Sequence, residues 1–99
     1  MQKALPIFKD GGSIILNASI GASKPSDGLT VYSATKAAVR SFARTWTVEL
    51  KDIKIRVNSV SPGSIDTHIF SPFMSNKDYE QFKENVTQTI PLGRMGTSD

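Results

Sequence analysis

Tyr32 and Lys36 lie four residues apart, a spacing that on a helix sets two side chains about 40° apart around the axis and aims both into one site. A free phenol, with a pKa of about 10, is a poor acid or base at neutral pH, but a neighbouring ammonium favours its phenolate form. The positive end of a helix dipole pushes the same way. A phenol so placed can exchange a proton with a carbonyl or alcohol oxygen, which is general acid–base work. Ser19 carries a hydroxyl that can donate to the same oxygen and polarise it as charge develops. Each feature alone also has a plain structural reading: an exposed helical pair for Tyr32 and Lys36, a turn-forming serine for Ser19.

The elements that must position these residues follow from periodicity. Gly11-Gly12 is a turn signal, and Ser13-Ile14-Ile15-Leu16-Asn17 is a short apolar run without alternation, which predicts a strand buried on both faces. Ala18 to Thr30, with Gly21, Pro25 and Gly28, is a loop. Val31 to Leu50 has no Gly or Pro, and Val39, Phe42, Ala43, Trp46 and Leu50 recur at helical spacing, so one long helix is expected there. Arg40, Arg44, Thr47 and Lys51 form its polar, solvated stripe. Ala34, Ala37 and Ala38 let another backbone approach, and Trp46 is expected to be exposed for helix packing. Ile53 to Val57 alternates at period two and runs on through Asn58-Ser59-Val60 to a Ser61-Pro62-Gly63 turn, a second strand. Strand, helix and strand make a right-handed crossover unit. Downstream, Ser75 is placed to cap a helix with Tyr79, Phe82 and Val86 on one face, ended by Pro91-Leu92-Gly93. Upstream, Gln2 to Lys9 reads weakly as a helix tail, because Pro6 interrupts it. The expected architecture is α/β, one βαβ unit of a parallel sheet plus flanking helices, in one small domain. In open sheets of this kind ligands bind beyond the carboxyl ends of the strands, where Ser19 and Tyr32 fall.

Composition narrows the function classes. The 99 residues contain no cysteine and one histidine, His68, so disulfides, thiolate catalysis and Cys-type zinc sites are excluded, and no metal site is expected. A formal charge of +3 is small beside the basic face a nucleic-acid binder needs. Unbroken apolar runs such as Ile14 to Leu16 fall far short of the roughly 20 residues of a membrane span. The start of the chain has no apolar stretch of signal-peptide length, and a cytoplasmic location is the default expectation.

The runs Gly12-Ser13-Ile14-Ile15-Leu16-Asn17-Ala18-Ser19, Tyr32-Ser33-Ala34-Thr35-Lys36-Ala37-Ala38 and Arg56-Val57-Asn58-Ser59-Val60-Ser61-Pro62-Gly63 together resemble the short-chain dehydrogenase/reductases. The serine-to-tyrosine separation, 32 − 19 = 13, is the family's usual one, and Pro62-Gly63 with Thr67 resembles its Pro-Gly-x-x-x-Thr element. Pro91-Leu92-Gly93-Arg94-Met95-Gly96 resembles the stretch before the family's late helix. By that resemblance Tyr32 is the catalytic acid or base, Ser19 orients the substrate oxygen, and Lys36 assists the tyrosine and binds the nicotinamide ribose. Tyr32, Lys36, Pro62, Gly63, Ile65 and Thr67 would contact the cofactor, NAD or NADP, which supplies the hydride. The implied substrate is a small molecule interconverting carbonyl and alcohol. Residues 66–90, with His68, Phe70, Phe73 and Met74, correspond to the family's variable substrate lid, and members commonly form homo-oligomers through the helix that bears the Tyr and Lys.

The seven glycines contain no Gly-x-Gly-x-x-Gly, the turn that places a pyrophosphate on a helix N-terminus. The sequence therefore resembles the carboxyl-side middle of the family's enzymes, which implies an α/β fold, a partial Rossmann-type doubly wound parallel sheet of one βαβ unit plus flanking helices, in a single partial domain over residues 1–99. The 99 residues alone are expected neither to bind the cofactor tightly nor to turn over substrate. A truncated chain acting only as a dimerisation module is the alternative. A different class, acyl transfer, is raised by Ser33-Ala34-Thr35-Lys36, which matches the Ser-x-x-Lys of penicillin-binding proteins. Ser26-Asp27-Gly28 precedes that serine and no Lys-Thr-Gly follows, which weighs against it.

Overall fold

The computed structural model describes residues 1–8 and 11–99. Two compact units divide it, Met1–Pro62 and Gly63–Asp99.

In the first unit, strand β1 (Gly12–Asn17) is joined to helix α1 (Thr30–Glu49) and then to strand β2 (Ile55–Val60), and the strands pair in parallel. This is the expected α/β crossover. Gly11, at φ 83°, turns the chain into β1, and its N–H donates to the Ile53 carbonyl at 3.1 Å. The left-handed backbone there suits glycine, which carries no Cβ to clash. Gly28 makes a similar turn, at φ 73°, just ahead of α1.

Register decides what the helix covers. Ile14 pairs with Val57 and Leu16 with Ser59, so Ile14, Leu16, Ile55 and Val57 share one face of the sheet. Against that face α1 sets Ala43 and Trp46, with Leu50 at its C-cap, and the core is Ile14, Ala43, Leu50, Ile55 and Val57. β1 was expected to be buried on both faces; instead Ile14 is 8% exposed and its neighbour Ile15 70%. One helix covers one face, and successive side chains point to opposite faces, so Ile15 stays open with Val60.

Four more expectations need correction. β2 starts at Ile55 rather than Ile53, because Lys51–Ile53 forms a 3-10 turn closed by Lys54 in the left-handed region, φ 55°. Trp46 is half-buried against the core, with Phe42 stacked on it at 5.2 Å, so it is not an exposed anchor. Thr47 does not simply face water: its hydroxyl lies 2.7 Å from the Ala43 carbonyl and 3.1 Å from that of Val57, giving an edge-strand acceptor a donor. At the start of the chain, only Leu5–Ile7 forms a single 3-10 turn, with Pro6 in its first positions; Lys9 lies outside the described residues.

In the second unit Ile65 pairs with Gly96, a 3-10 turn spans His68–Phe70, and helix α2 covers Asn76–Thr89. Ser75 caps α2 as its position implied: its Oγ accepts from the Asp78 N–H at 3.2 Å and donates to the Asp78 carboxylate at 2.7 Å. After Ile90 the chain turns at Gly93, φ 64°. Met95 is the buried hydrophobic residue here. Among the described residues no helix is long and apolar enough to cross a membrane.

Candidate active site

Beyond the carboxyl end of β1 the backbone continues the sheet briefly, with Ala18 N–H donating to the Val60 carbonyl at 2.8 Å and Ile20 N–H to that of Pro62 at 3.0 Å. Between them stands Ser19. Its Oγ accepts from the Gly21 N–H at 3.1 Å and so caps the 3-10 turn Ile20–Ala22. The turn-forming reading of this serine is thus realised, yet it does not consume the hydroxyl. Accepting uses a lone pair, and the O–H remains free to donate to another oxygen.

Tyr32 and Lys36 sit in the first two turns of α1, where the absence of Gly and Pro lets the helix form and the four-residue spacing brings the side chains together. The Lys36 ammonium is 5.8 Å from the centre of the Tyr32 ring. It is tethered by donating to the Asn17 carbonyl at 3.1 Å, the last residue of β1. One of its three N–H donors is used there, and two stay available. Tyr32 is 44% exposed, open to a ligand.

Gly21 defines the space between serine and tyrosine. A Cβ built on it would lie 3.3 Å from Tyr32 Cε1 and 3.4 Å from Ser19 Oγ. Both groups therefore border the same small volume, which a side chain at position 21 would partly fill. The sequence reading treated Gly21 only as a loop residue. Arg40, assigned to the solvated stripe, instead donates to the Ser23 hydroxyl and fastens this loop to α1.

The acyl-transfer arrangement is not formed. Ser33 Oγ is buried without a hydrogen-bond partner among the described residues, and the Lys36 ammonium turns to Asn17. A nucleophile must reach its substrate, and this one does not.

The Gly63–Asp99 unit carries its own polar cluster. Asp66 is the centre: Tyr79 donates to its Oδ1 at 2.6 Å and Lys83 forms an ion pair with its Oδ2. The Lys83 ammonium, followed by the Tyr79 hydroxyl, holds the Asp66 carboxyl below the usual carboxylate range. Donating to that carboxylate pushes the Tyr79 phenol and the Lys83 ammonium up. Sequence reasoning placed Tyr79 on an apolar face, and its ring does lie 6.4 Å from that of Phe82. The spacing of Tyr79 and Lys83, one helical turn, was a readable signal. Their partner thirteen residues before Tyr79 was not, because the path of the intervening chain sets that contact.

What this unit offers a ligand is mostly backbone. Gly96 N–H donates to the Ser64 carbonyl at 3.0 Å and Asp66 N–H to that of Gly96 at 2.8 Å. In an extended segment the next residue's groups face the other way, so the Ile65 N–H and C=O point away from that bridge. Thr67, beside it, leaves its side chain uncommitted to capping the turn that follows.

All 99 residues match the family model described as enoyl-(acyl carrier protein) reductase. The chain belongs to the short-chain dehydrogenase/reductase family. It is 41% identical over 98 residues to an oxidoreductase named asL5 from Sarocladium schorii, covering 97% of this chain and 38% of that protein. It is 40% identical over 90 residues to the 3-oxoacyl-(acyl-carrier-protein) reductase FabG of Thermotoga maritima, covering 91% and 35%. Among solved structures it is similar to a small-chain dehydrogenase in complex with NADPH, with a TM-score of 0.86 at 27% identity over 97% of this chain and 42% of that one. The chain thus spans 35% to 38% of the length of these two relatives. This is the family the three sequence runs resembled, and the parallel βαβ unit matches a fragment of its Rossmann-like fold.

Proposed function

We propose that these residues form the acid–base half of the active site of an NAD(P)-dependent oxidoreductase acting on a small-molecule carbonyl/alcohol pair. The observation that carries the reading is the convergence of Ser19, Tyr32 and Lys36 at the carboxyl end of β1. The Ser19 hydroxyl and Tyr32 ring border one volume at Gly21, with the Lys36 ammonium 5.8 Å from that ring. In the reductive direction Ser19 donates a hydrogen bond to the substrate carbonyl oxygen, and Tyr32 gives its phenolic proton to that oxygen as it becomes an alcohol. Lys36 stabilises the negative charge left on the tyrosine oxygen and offers its spare N–H donors to a ribose hydroxyl. The bound nicotinamide supplies the hydride.

The chemistry of the available donors fits such a cofactor. Its nicotinamide carboxamide needs an N–H and a C=O partner side by side, which Ile65 offers from the backbone, with the Thr67 hydroxyl adjacent; Pro62 and Gly63 shape the approach. Residues 66–90 then act as the substrate lid. The likeness to a dehydrogenase in complex with NADPH supports a nicotinamide cofactor.

The test is cofactor oxidation by the complete protein against a panel of ketones and aldehydes, followed by absorbance. Tyr32→Phe keeps the ring and removes the proton, so kcat is expected to fall by about 10²- to 10⁴-fold with an unchanged circular dichroism spectrum. Turnover within a factor of two of the unaltered protein would remove Tyr32 from the mechanism. A second reading, an association module, is favoured by the exposure of Val31, Phe42 and Val48 along α1. Sedimentation with a full-length relative separates the two, since a catalytic role alone requires no co-migration.

A further inference from the structure

Helix α2 and the Ile65–Thr67 segment are joined by side chains for which neither the family motifs nor the proposed chemistry has a use. Tyr79 and Lys83, one turn apart on α2, both reach back to the carboxylate of Asp66, one oxygen each. The Tyr79 hydroxyl also lies 3.3 Å from the Thr67 carbonyl, the residue after Asp66. On its other side the same segment is fixed by the Gly96 backbone, through Asp66 N–H and the Ser64 carbonyl. Resting on the reading of Ile65 and Thr67 as cofactor contacts, we propose that Asp66 is a positioning residue: through Tyr79 and Lys83 it locks helix α2 to the segment that holds the nicotinamide end.

Three observations make this a device rather than a chance surface pair. Tyr79 is held from behind, since its ring is against Phe82 and Phe82 meets Phe70 edge-on at 5.3 Å, so its hydroxyl is aimed by packing as well as by the acceptor. The three groups are in the charge states the contacts require: Lys83 and Tyr79 keep Asp66 ionised, and Asp66 in turn keeps Lys83 protonated and Tyr79 neutral. The three side chains also line a cleft with His68 and Met74, so a molecule entering it meets the lock itself. A substrate pressing on α2 there would shift the Thr67 segment, and a cofactor ordering that segment would in turn order α2. Coupling of this kind is reciprocal in binding free energy.

The complete protein carrying Asp66→Ala, Tyr79→Phe, both together, or Asp66→Glu provides the test. Asp66→Ala removes both contacts and is expected to raise the cofactor KM about tenfold while kcat changes less than about twofold. The double variant should be no worse than Asp66→Ala, because the two changes remove one shared contact. Asp66→Glu, which keeps the charge, should recover part of the loss. Independently of activity, amide hydrogen exchange over residues 64–67 should quicken in Tyr79→Phe, a change on another element that leaves the ion pair in place. An unchanged cofactor KM in Asp66→Ala, or equal effects on kcat and KM, overturns the proposal. If Asp66→Ala fails to fold, Tyr79→Phe decides: unaltered exchange at 64–67 overturns it, quickened exchange supports it. Absence of cofactor-dependent turnover in the unaltered protein would instead defeat the reading of Ile65 and Thr67, while the exchange experiment still judges the lock.

Discussion

Each unit is held together by different physics. In Met1–Pro62 the stabilising contacts are apolar and volume-sensitive: Ile14, Ala43, Leu50, Ile55 and Val57 close one face of a two-stranded sheet beneath a twenty-residue helix. In Gly63–Asp99 Met95 is the buried hydrophobic residue, and the most connected side chain is a half-buried carboxylate bonded to a phenol and an ammonium. The first arrangement fixes the helix that carries Tyr32 and Lys36, because a packed core has little room for alternative rotamers. The second can open and reclose, because each of its bonds can be exchanged for one with water.

That contrast can be broken or sharpened by experiment. Ile55→Ala removes the most deeply covered isoleucine, 3% exposed, and should lower unfolding stability by about 2 to 5 kcal/mol in urea titration. A loss below 1 kcal/mol, on the scale of a tolerated surface change, would mean the apolar core is not what holds this unit. Gly21→Ala places a methyl group between Ser19 and Tyr32, so catalytic efficiency should fall about tenfold, more for bulky ketones, with stability nearly unchanged. Equal activity on large and small substrates would show that this volume is not the substrate's.

The polar cluster predicts a pH response in the second unit alone. Asp66 is held below its ordinary range, so its contribution is complete above that range and disappears as pH falls through the lowered value. Tyr79 and Lys83 are raised, so theirs is complete below their ordinary values and disappears as pH rises through the raised ones. Amide protection along α2 should therefore be flat from roughly pH 5 to 9, falling only beyond both ends. Added salt should weaken it slightly, since the ion pair is solvent-exposed. A titration step near neutrality would show that this cluster does not control the protection of α2. The smallest effect is expected at Lys54, whose left-handed backbone strains any residue with a Cβ: Lys54→Gly should change stability by about 1 kcal/mol or less, in the stabilising direction.

Much of the site was readable because it is local. Tyr32 and Lys36 share a helix, and a four-residue interval places them together whatever that helix packs against. Ser75 capped α2 for the same reason. What failed depended on neighbours. Ile15 looked as buried as Ile14, since both sit in one apolar run, but only the number of covering layers decides which faces of a sheet are closed. Thr47 and Arg40 looked like members of a solvated stripe, and each found a partner on another element, at Val57 and Ser23.

The sequence by itself determined the crossover unit, the helix and the juxtaposition of a phenol with an ammonium, because periodicity and short-range spacing act within one element. Only the tertiary structure decided that a glycine would leave room between serine and tyrosine, and that Asp66 would gather Tyr79 and Lys83 from another element. Contacts between elements depend on where the intervening backbone travels, and that path is set by the sum of packing and hydrogen bonding over the whole unit rather than by any local run of residues.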